Sequence, residues 1–272
     1  MQGWIGREMV QHDVLTASLL QRFRATIDSA EAGETAAQGI HWCLCLPDAH
    51  TAALDIDGHP RRGGFLPPIP LPRRMWASSA VEFHAPIAVG ANIERRSVIA
   101  DIVEKQGGSG PLFFVSVDHE TRADGLLAVS ERQTLVYREA STAPPAPPGS
   151  GEPDLAGWQW HHSLMPSAPL LFRYSALTFN SHCIHYDRPY AMDVERYRGL
   201  VVHGPLMATL LLDLAARELG ANALASFSFR GQSPAIAGEA LHLVGKVEAE
   251  AITLAALGSD GRTVMSAQAK GQ

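Results

Sequence analysis

The chain has 272 residues, a net charge of −6, and a composition that is 46% hydrophobic and 18% charged. Its length can bury a large core, as one long domain or as two of average size. The composition is ordinary for a soluble globular protein, and the acidic balance gives no electrostatic footprint for nucleic acid.

The sequence also bears on the compartment. No apolar run approaches the ~20 residues of a membrane helix, and the N-terminus lacks the charged start and apolar block of a signal peptide. Three cysteines, including Cys43 and Cys45, fit neither a disulfide framework nor the C-x-x-C spacing of zinc and redox sites. We therefore expect a cytoplasmic protein with no membrane or nucleic-acid partner.

The sequence of the first half predicts one helix and an antiparallel meander. An apolar stripe at helical spacing predicts a helix over 13–29, with Asp13 as its cap. Residues 41–46 (HWCLCL) predict a buried strand, and the Gly- and Pro-rich segment 57–76 predicts a packed loop. A turn at 105–110 divides the meander. Alternating patterns predict its strands at 81–90, 92–105, 111–121 and 126–139.

The second half predicts a similar plan after a linker. Residues 140–154 are rich in Pro, Gly, Ser and Ala, as linkers are. A strand-like run at 171–179 leads through the polar segment NSHCIHYD to a long, buried helix from Gly204 to Gly220. Strands follow within 226–238, 241–248, 252–258 and 262–269.

The two halves share a pattern of proline and glycine. Pro86 and Gly90 match Pro234 and Gly238, and both pairs are 148 positions apart (86 to 234, 90 to 238). The sequence therefore predicts an α+β fold with two repeats, each a helix wrapped by its own antiparallel sheet. The predicted division is 1–139 and 155–272, with 140–154 between them.

Four residues around the start of the long helix are candidates for chemistry. His185 can transfer protons at neutral pH, and Asn180 can orient a water or a carbonyl. The first-turn N–H groups beside Gly204 can hold developing negative charge. His203 is either a packed histidine, the favoured interpretation, or a substrate contact.

The same segment raises the question of a metal. His182, His185 and Asp187 are possible ligands. However, His-x-x-His does not match the i, i+4 ligand pair of a helix, and no second cluster completes a site. The sequence therefore predicts no metal, with Asp187 as the cap of a short helix.

NSHCIHYDRPYA, followed by VVHGPLMATLL, resembles the MaoC-type hydratase family. Its motif is Asp-x-Asn-Pro-x-His, an acidic residue and Ala, then a helix that begins His-Gly. The whole chain, including GGFLPPIPLPRRMW and KQGGSGPLFFVSVDHE, is similar to a two-repeat subgroup. That subgroup contains mesaconyl-CoA and itaconyl-CoA hydratases and mitochondrial 3-hydroxyacyl-thioester dehydratases.

The resemblance implies a double hotdog fold and a hydro-lyase that adds water to a short, dicarboxylic enoyl-CoA. Asn180 aligns with the family's catalytic Asp, His185 with its catalytic His, and Gly204 with the glycine whose N–H faces the thioester oxygen. Asn180 cannot itself take a proton, so His185 is expected to be the general acid and base. No cofactor is implied beyond coenzyme A as part of the substrate.

A diacid substrate has a distal carboxylate, which arginine binds well. At least one of six arginines is therefore expected to be a ligand, although surface or interdomain contacts are the simpler interpretation of any single one: Arg61, Arg62, Arg73, Arg74, Arg173 and Arg230. Only the second half carries the Asn-x-x-x-x-His segment, which predicts one active site per chain.

Other functions stay open. One alternative is a dehydratase of fatty acyl thioesters, which would require an apolar tunnel. Others are a thioesterase, which usually needs a carboxylate near the thioester carbon, and a non-catalytic acyl-CoA binder. A homodimer is possible.

Overall fold

The computed structural model describes residues 1–108, 110–140, 147, 149–249 and 251–272. The predicted linker falls largely on 141–146 and 148, which lie outside the described residues, as does Ser109 of the predicted turn at 105–110. The strands are β1 (Glu8–Val14), β2 (Arg73–Phe83), β3 (Asn92–Gly107), β4 (Gly110–Ala123), β5 (Leu126–Arg138), β6 (Trp160–Leu164), β7 (Leu224–Gly231), β8 (Leu241–Glu248), β9 (Ala251–Gly258) and β10 (Thr263–Gly271).

These ten strands form one antiparallel sheet in the order β1-β3-β4-β5-β2-β7-β10-β9-β8-β6. The five strands of the first half lie on one side and the five of the second half on the other. They join where β2 pairs with β7, from Ser78 opposite Arg230 to Glu82 opposite Ser226. The two predicted sheets are therefore joined edge to edge into one.

In the part of the chain that the structure describes, three α-helices pack against this sheet: α1 (Ala17–Ile27), α2 (Ala168–Leu177) and α3 (Gly204–Leu219). The α3 helix has ten buried residues among its sixteen and ends at Gly220, as predicted. Its burial follows from an apolar sequence on nearly all sides. No helix within the described ranges is long and apolar enough to cross a membrane.

The two halves share a local frame. Thr16 caps α1 by accepting from the N–H of Leu19, and Ser167 caps α2 by accepting from the N–H of Leu170. In each half, a glycine with positive φ donates its N–H to the carbonyl just before the cap. These are Gly90 (φ 90°) and Gly238 (φ 87°), the same glycines that match in the sequence.

Three predicted boundaries in the first half are wrong. The strand predicted over 81–90 belongs to β2, which ends at Phe83. The helix predicted over 13–29 begins at Ala17, because Asp13 belongs to β1 and accepts from the N–H of Cys45 at 2.9 Å. The predicted loop 57–76 ends earlier, since β2 begins at Arg73. The remaining loop is packed, as predicted. Its Ile69 and Leu71 are buried against β3, β4 and β5.

Two predicted strands are also wrong. Residues 41–45 are buried, but they follow a turn at Gly39 (φ 100°), and the first three belong to a 3₁₀-helix over Ile40–Cys43. Residues 171–179 form most of α2, because the cap at Ser167 and a proline in the first turn set a helix despite the aromatic composition. The strand in this region is β6, which the sequence did not predict.

Candidate active site

His185 lies at the end of a buried 3₁₀ turn, Cys183–His185. Its Nδ1 is 2.7 Å from the carbonyl oxygen of Val201. Because a carbonyl can only accept, Nδ1 carries the proton and Nε2 presents a lone pair. Burial lowers the pKa of His185 to about 4, so the ring is neutral at pH 7. This is the state that a general base requires.

His203 lies against the His185 ring. The two imidazoles are stacked, with centroids 3.6 Å apart and planes 19° apart. His203 Nε2 is 2.8 Å from Ser175 Oγ, while Nδ1 is buried with no hydrogen-bond partner among the described residues. Burial, followed by the charges of His185 and His182, lowers the pKa of His203. His203 therefore forms a neutral surface that supports the His185 ring.

Asn180 begins the segment that carries His185. Its side-chain Oδ1 accepts from the backbone N–H of His182 at 2.9 Å, and its own N–H donates to Ser175 O. The residue before it, Phe179, has a positive φ of 47°. Asn180 thus fixes the turn out of α2, and a carboxylate at this position could accept the same hydrogen bond.

Gly204 is the first residue of α3, and His203 before it is the N-cap without a side-chain capping bond. The first N–H groups of a helix have no partner within the helix, and the positive end of the helix dipole lies there. Gly204 also faces β2, since a Cβ on it would lie 3.8 Å from Trp76 O. The start of α3 can therefore polarise a carbonyl oxygen.

A part of the site that sequence reasoning missed comes from the first half. Asp57 and His59 lie on the predicted packed loop, and Asp57 Oδ2 is within hydrogen-bond distance of His59 Nδ1 at 2.9 Å. The His59 ring is 4.1 Å from the His182 ring, which is 5.4 Å from His185. One feature of the sequence could have indicated this pair: a glycine, Gly58, separates Asp57 and His59 in a loop whose apolar residues require burial.

Three possible metal ligands lie close together in the structure. The ligand atoms of Asp57, His59 and His182 all lie within 4.8 Å of one another, so this set could hold an ion. The set considered from the sequence is different. Asp187 accepts from the N–H of Tyr190 at 3.0 Å, as predicted for a cap, and His185 uses Nδ1 on a carbonyl.

Arg74 is the candidate arginine beside this cluster. It lies half-buried on β2, and its charge helps to lower the pKa values of His59 and His182, after burial, which is the larger cause for both. None of the ion pairs among the described residues includes Arg74, whereas the neighbouring Arg73 is buried and bound to Glu195 at 2.6 Å.

The other arginines do not gather at the site. Arg62 stabilises its own loop through Asp55 and two carbonyls. Arg230 is exposed on β7 on the face opposite to buried Phe229. The remaining two are exposed, and each donates to a nearby carbonyl: Arg61 and Arg173.

A long helix against an antiparallel sheet, with a neutral histidine beside the helix start, defines the class of hotdog hydratases and dehydratases. Known proteins agree. A MaoC-like dehydratase of known structure has a TM-score of 0.75 at 14% identity, covering 100% of this chain and 99% of that one. A Mycobacterium tuberculosis protein described as a double hotdog fold has a TM-score of 0.62 at 14% identity, covering 98% of this chain and 96% of that one. These likenesses show the fold.

The sequence comparisons show the family. The profile of the hydroxyacyl-thioester dehydratase type 2 family matches residues 39–237. A mesaconyl-C(4)-CoA hydratase of Chloroflexus aurantiacus is 43% identical over 269 residues, 97% of this chain and 95% of that protein. The chain therefore belongs to the hydroxyacyl-thioester dehydratase type 2 family. It is a hydro-lyase of acyl-CoA thioesters with a double hotdog fold.

Proposed function

We propose that the protein reversibly adds water to the double bond of a short enoyl-CoA that carries a free carboxylate. The observation that carries the diacid assignment is Arg74, a guanidinium outside the ion pairs of the described residues and close to the histidine cluster. Fully hydrophobic acyl chains would gain nothing from a cation at that position.

His185 is the proposed general base. Its Nε2 takes a proton from water as the water oxygen bonds to the β-carbon, and the double-bond electrons move toward the thioester oxygen. The Gly204 N–H stabilises the resulting enolate-like oxygen. His185 then returns the proton to the α-carbon, which restores both the base and the carbonyl. In the reverse direction, His185 protonates the leaving hydroxyl. Coenzyme A takes part only as a portion of the substrate.

The relative's name helps to place the carboxylate. A mesaconyl group is a methyl-substituted enedioic acid, and attachment through carbon 4 leaves its free carboxylate on the β-carbon. Such a carboxylate would lie next to the carbon that receives water, and therefore near His185. Arg74 is the proposed partner, since Arg binds a carboxylate in a planar, bidentate manner.

Aromatic side chains near the helix start support a short acyl group. Trp42 packs edge-to-face on Trp76 and on Phe229, with centroids 5.9 Å apart in both pairs. Glu131 accepts from Trp42 Nε1 at 3.2 Å and from Ser79 Oγ at 2.5 Å. A fatty acyl chain in this region would have to displace a hydrogen-bonded aromatic cluster.

The test is a panel of mesaconyl-, itaconyl-, crotonyl- and 2-octenoyl-CoA, followed by the loss of conjugated-thioester absorbance. Arg74→Ala should lower kcat/KM for the preferred diacid by the equivalent of roughly 2–5 kcal/mol if the pair is buried. Crotonyl-CoA, which lacks the carboxylate, should be nearly unaffected. Arg230→Ala, on the outer face of the sheet, is the matched control. An equal loss for both substrates would contradict the diacid assignment.

A further inference from the structure

Trp76 lies on β2 where two apolar clusters meet. It packs against the main core, which includes α3, and against the smaller cluster that the packed loop forms with β3, β4 and β5. Trp76 pairs with Leu135 across the strands and Arg74 pairs with Tyr137, and both partners are buried in the smaller cluster. Opposite residues of neighbouring strands point to the same face of a sheet. Trp76 and Arg74 are both partly exposed, so they line the gap between the main core and the packed loop.

The backbone at Trp76 lies beside the start of α3. A Cβ on Gly204 would be 3.8 Å from Trp76 O. The ladder between β2 and β7 begins at Ser78, and the pairing of β2 with β5 shifts its register between Trp76 and Ser78. Such a bulge bends a strand and changes the direction of its side chains. A thioester oxygen held at the Gly204 N–H would therefore place its acyl group next to Trp76.

Hydrogen bonds fix the polar edge of the Trp76 indole. Its Nε1 donates to Ser79 Oγ at 2.9 Å and lies 3.2 Å from Ser78 O. The Ser79 hydroxyl in turn donates to Glu131 at 2.5 Å. Glu131 is buried and also accepts from Trp42 Nε1, at 3.2 Å from each carboxylate oxygen. One buried carboxylate therefore holds Trp42 directly and Trp76 through Ser79.

Aromatic contacts fix the rest of the Trp76 ring. Its centroid is 5.9 Å from that of Trp42, with planes at 89°, and 6.2 Å from that of Phe229, with planes at 43°. Phe229 is buried on β7, so the indole is supported from both halves of the chain. Packing and hydrogen bonds together keep a side chain in one position. The indole is therefore a rigid wall of the gap.

We propose that Trp76 is a specificity-determining residue whose indole ends the acyl pocket and excludes chains that extend far beyond the β-carbon. Ser79 and Glu131 are positioning residues that hold the indole in that place. The inference deepens the proposed function and rests on it, because the Gly204 N–H is what places the thioester. A longer chain is excluded by shape, since its additional methylenes would occupy the volume of the indole.

The test is Trp76→Leu, assayed with crotonyl-, 2-hexenoyl- and 2-octenoyl-CoA. In the wild type, kcat/KM should fall at least about tenfold from the four-carbon to the six-carbon chain, the usual effect of a poorly fitting methylene. Trp76→Leu should raise the ratio of the six-carbon to the four-carbon value by about tenfold. Trp158→Leu is the matched control, because this partly exposed indole packs in a separate cluster with Val244, and the ratio should not change.

A second measurement does not need turnover of the longer chains. Butyryl-, hexanoyl- and octanoyl-CoA have no double bond and are used as competitive inhibitors of the hydration of the preferred substrate. Trp76→Leu should lower the inhibition constant of octanoyl-CoA relative to that of butyryl-CoA. Ser79→Ala should shift this ratio in the same direction by a smaller factor, because Trp76 keeps its contact with Ser78 O. Trp76→Phe retains an aromatic ring and replaces the leucine variant if that chain does not fold.

Two results would overturn the role of Trp76. One is an unchanged chain-length ratio in a folded Trp76 variant. The other is an equal loss for every chain length, which would place the indole against the coenzyme A portion. A ratio that changes in the Trp76 variants but not in Ser79→Ala would overturn the positioning role of Ser79 and Glu131. A wild type that hydrates no enoyl-CoA would instead contradict the proposed function.

Discussion

The two halves share a capped helix and a matching backbone hydrogen bond further along the chain. They differ in the residues directly after that hydrogen bond. In the first half the N–H of Ala36 donates to Ile87 O, and in the second the N–H of Val202 donates to Ala235 O, both at 2.9 Å. The next two residues are Ala37 and Gln38 in one half and His203 and Gly204 in the other. A short 3₁₀ turn comes after the first pair and the long α3 after the second.

Each half also carries one long insertion, and the two insertions lie at different points of the repeat. After its first helix, the second half has a long segment (178–199) where the first has only 28–33. Before its central strand, the first half has a long loop (46–72) where the second has only 220–223. The two long insertions meet at Gly58 and Ser181. The proposed reacting group therefore belongs to one repeat, whereas the loop that packs against its segment belongs to the other.

The largest expected effect concerns the insertion of the second half. His185→Ala should lower the hydration rate by roughly 10²–10⁴-fold, because it removes the proposed general base. The rate is measured with the substrate that wild type prefers. His161→Ala, exposed on β6, is the control and should retain full activity. A nearly normal rate in His185→Ala would place the chemistry elsewhere and end the proposed division between the repeats.

A smaller effect is expected where the two insertions meet. Gly58→Ala would place a Cβ 1.8 Å from backbone Ser181 O, so the loop must move away from the catalytic segment. We expect a loss of at least ~1–3 kcal/mol of stability, together with reduced activity. Thermal unfolding and kcat/KM measure the two losses. Gly63→Ala is a matched control, since Gly63 has a similar φ of 92° and its nearest neighbour would be 3.8 Å away. Equal losses in both variants would show that backbone strain, not the contact, matters.

How well the sequence predicts a feature of this protein depends on how far apart in the chain the interacting residues lie. The α3 helix, His185 and Gly204 could be located from local signals, namely apolar spacing, a Gly-Pro start and a short motif. The contact of Gly58 with Ser181 joins residues 123 positions apart, and no local pattern contains it. The sequence of α2 predicts a strand because its aromatic composition outweighs a capping signal four residues earlier, at Ser167.

Asn180→Asp tests the effect of a carboxylate at the position that aligns with the family's catalytic Asp. Asp can accept the same hydrogen bond from the His182 N–H, so the turn should persist. The new negative charge should raise the pKa of His185 above its value of about 4, because it favours the imidazolium. Activity should therefore survive, with the acidic limb of the pH–rate profile at higher pH. An inactive but folded variant would contradict this assignment, and Asn180→Ala serves as the uncharged comparison.

The smallest expected effect concerns Gln38, which stands in the first half where Gly204 stands in the second. Its side chain bridges to β7 by donating to Leu224 O at 2.6 Å and accepting from the Leu224 N–H at 3.4 Å. Gln38→Ala should therefore cost about 0.5–1.5 kcal/mol of stability, the usual contribution of a hydrogen bond. The hydration rate should not change, because this position holds the sheet rather than the thioester. Denaturant unfolding and steady-state kinetics measure both quantities. A large loss of rate without a loss of stability would mean that the first half also contacts the reacting atoms.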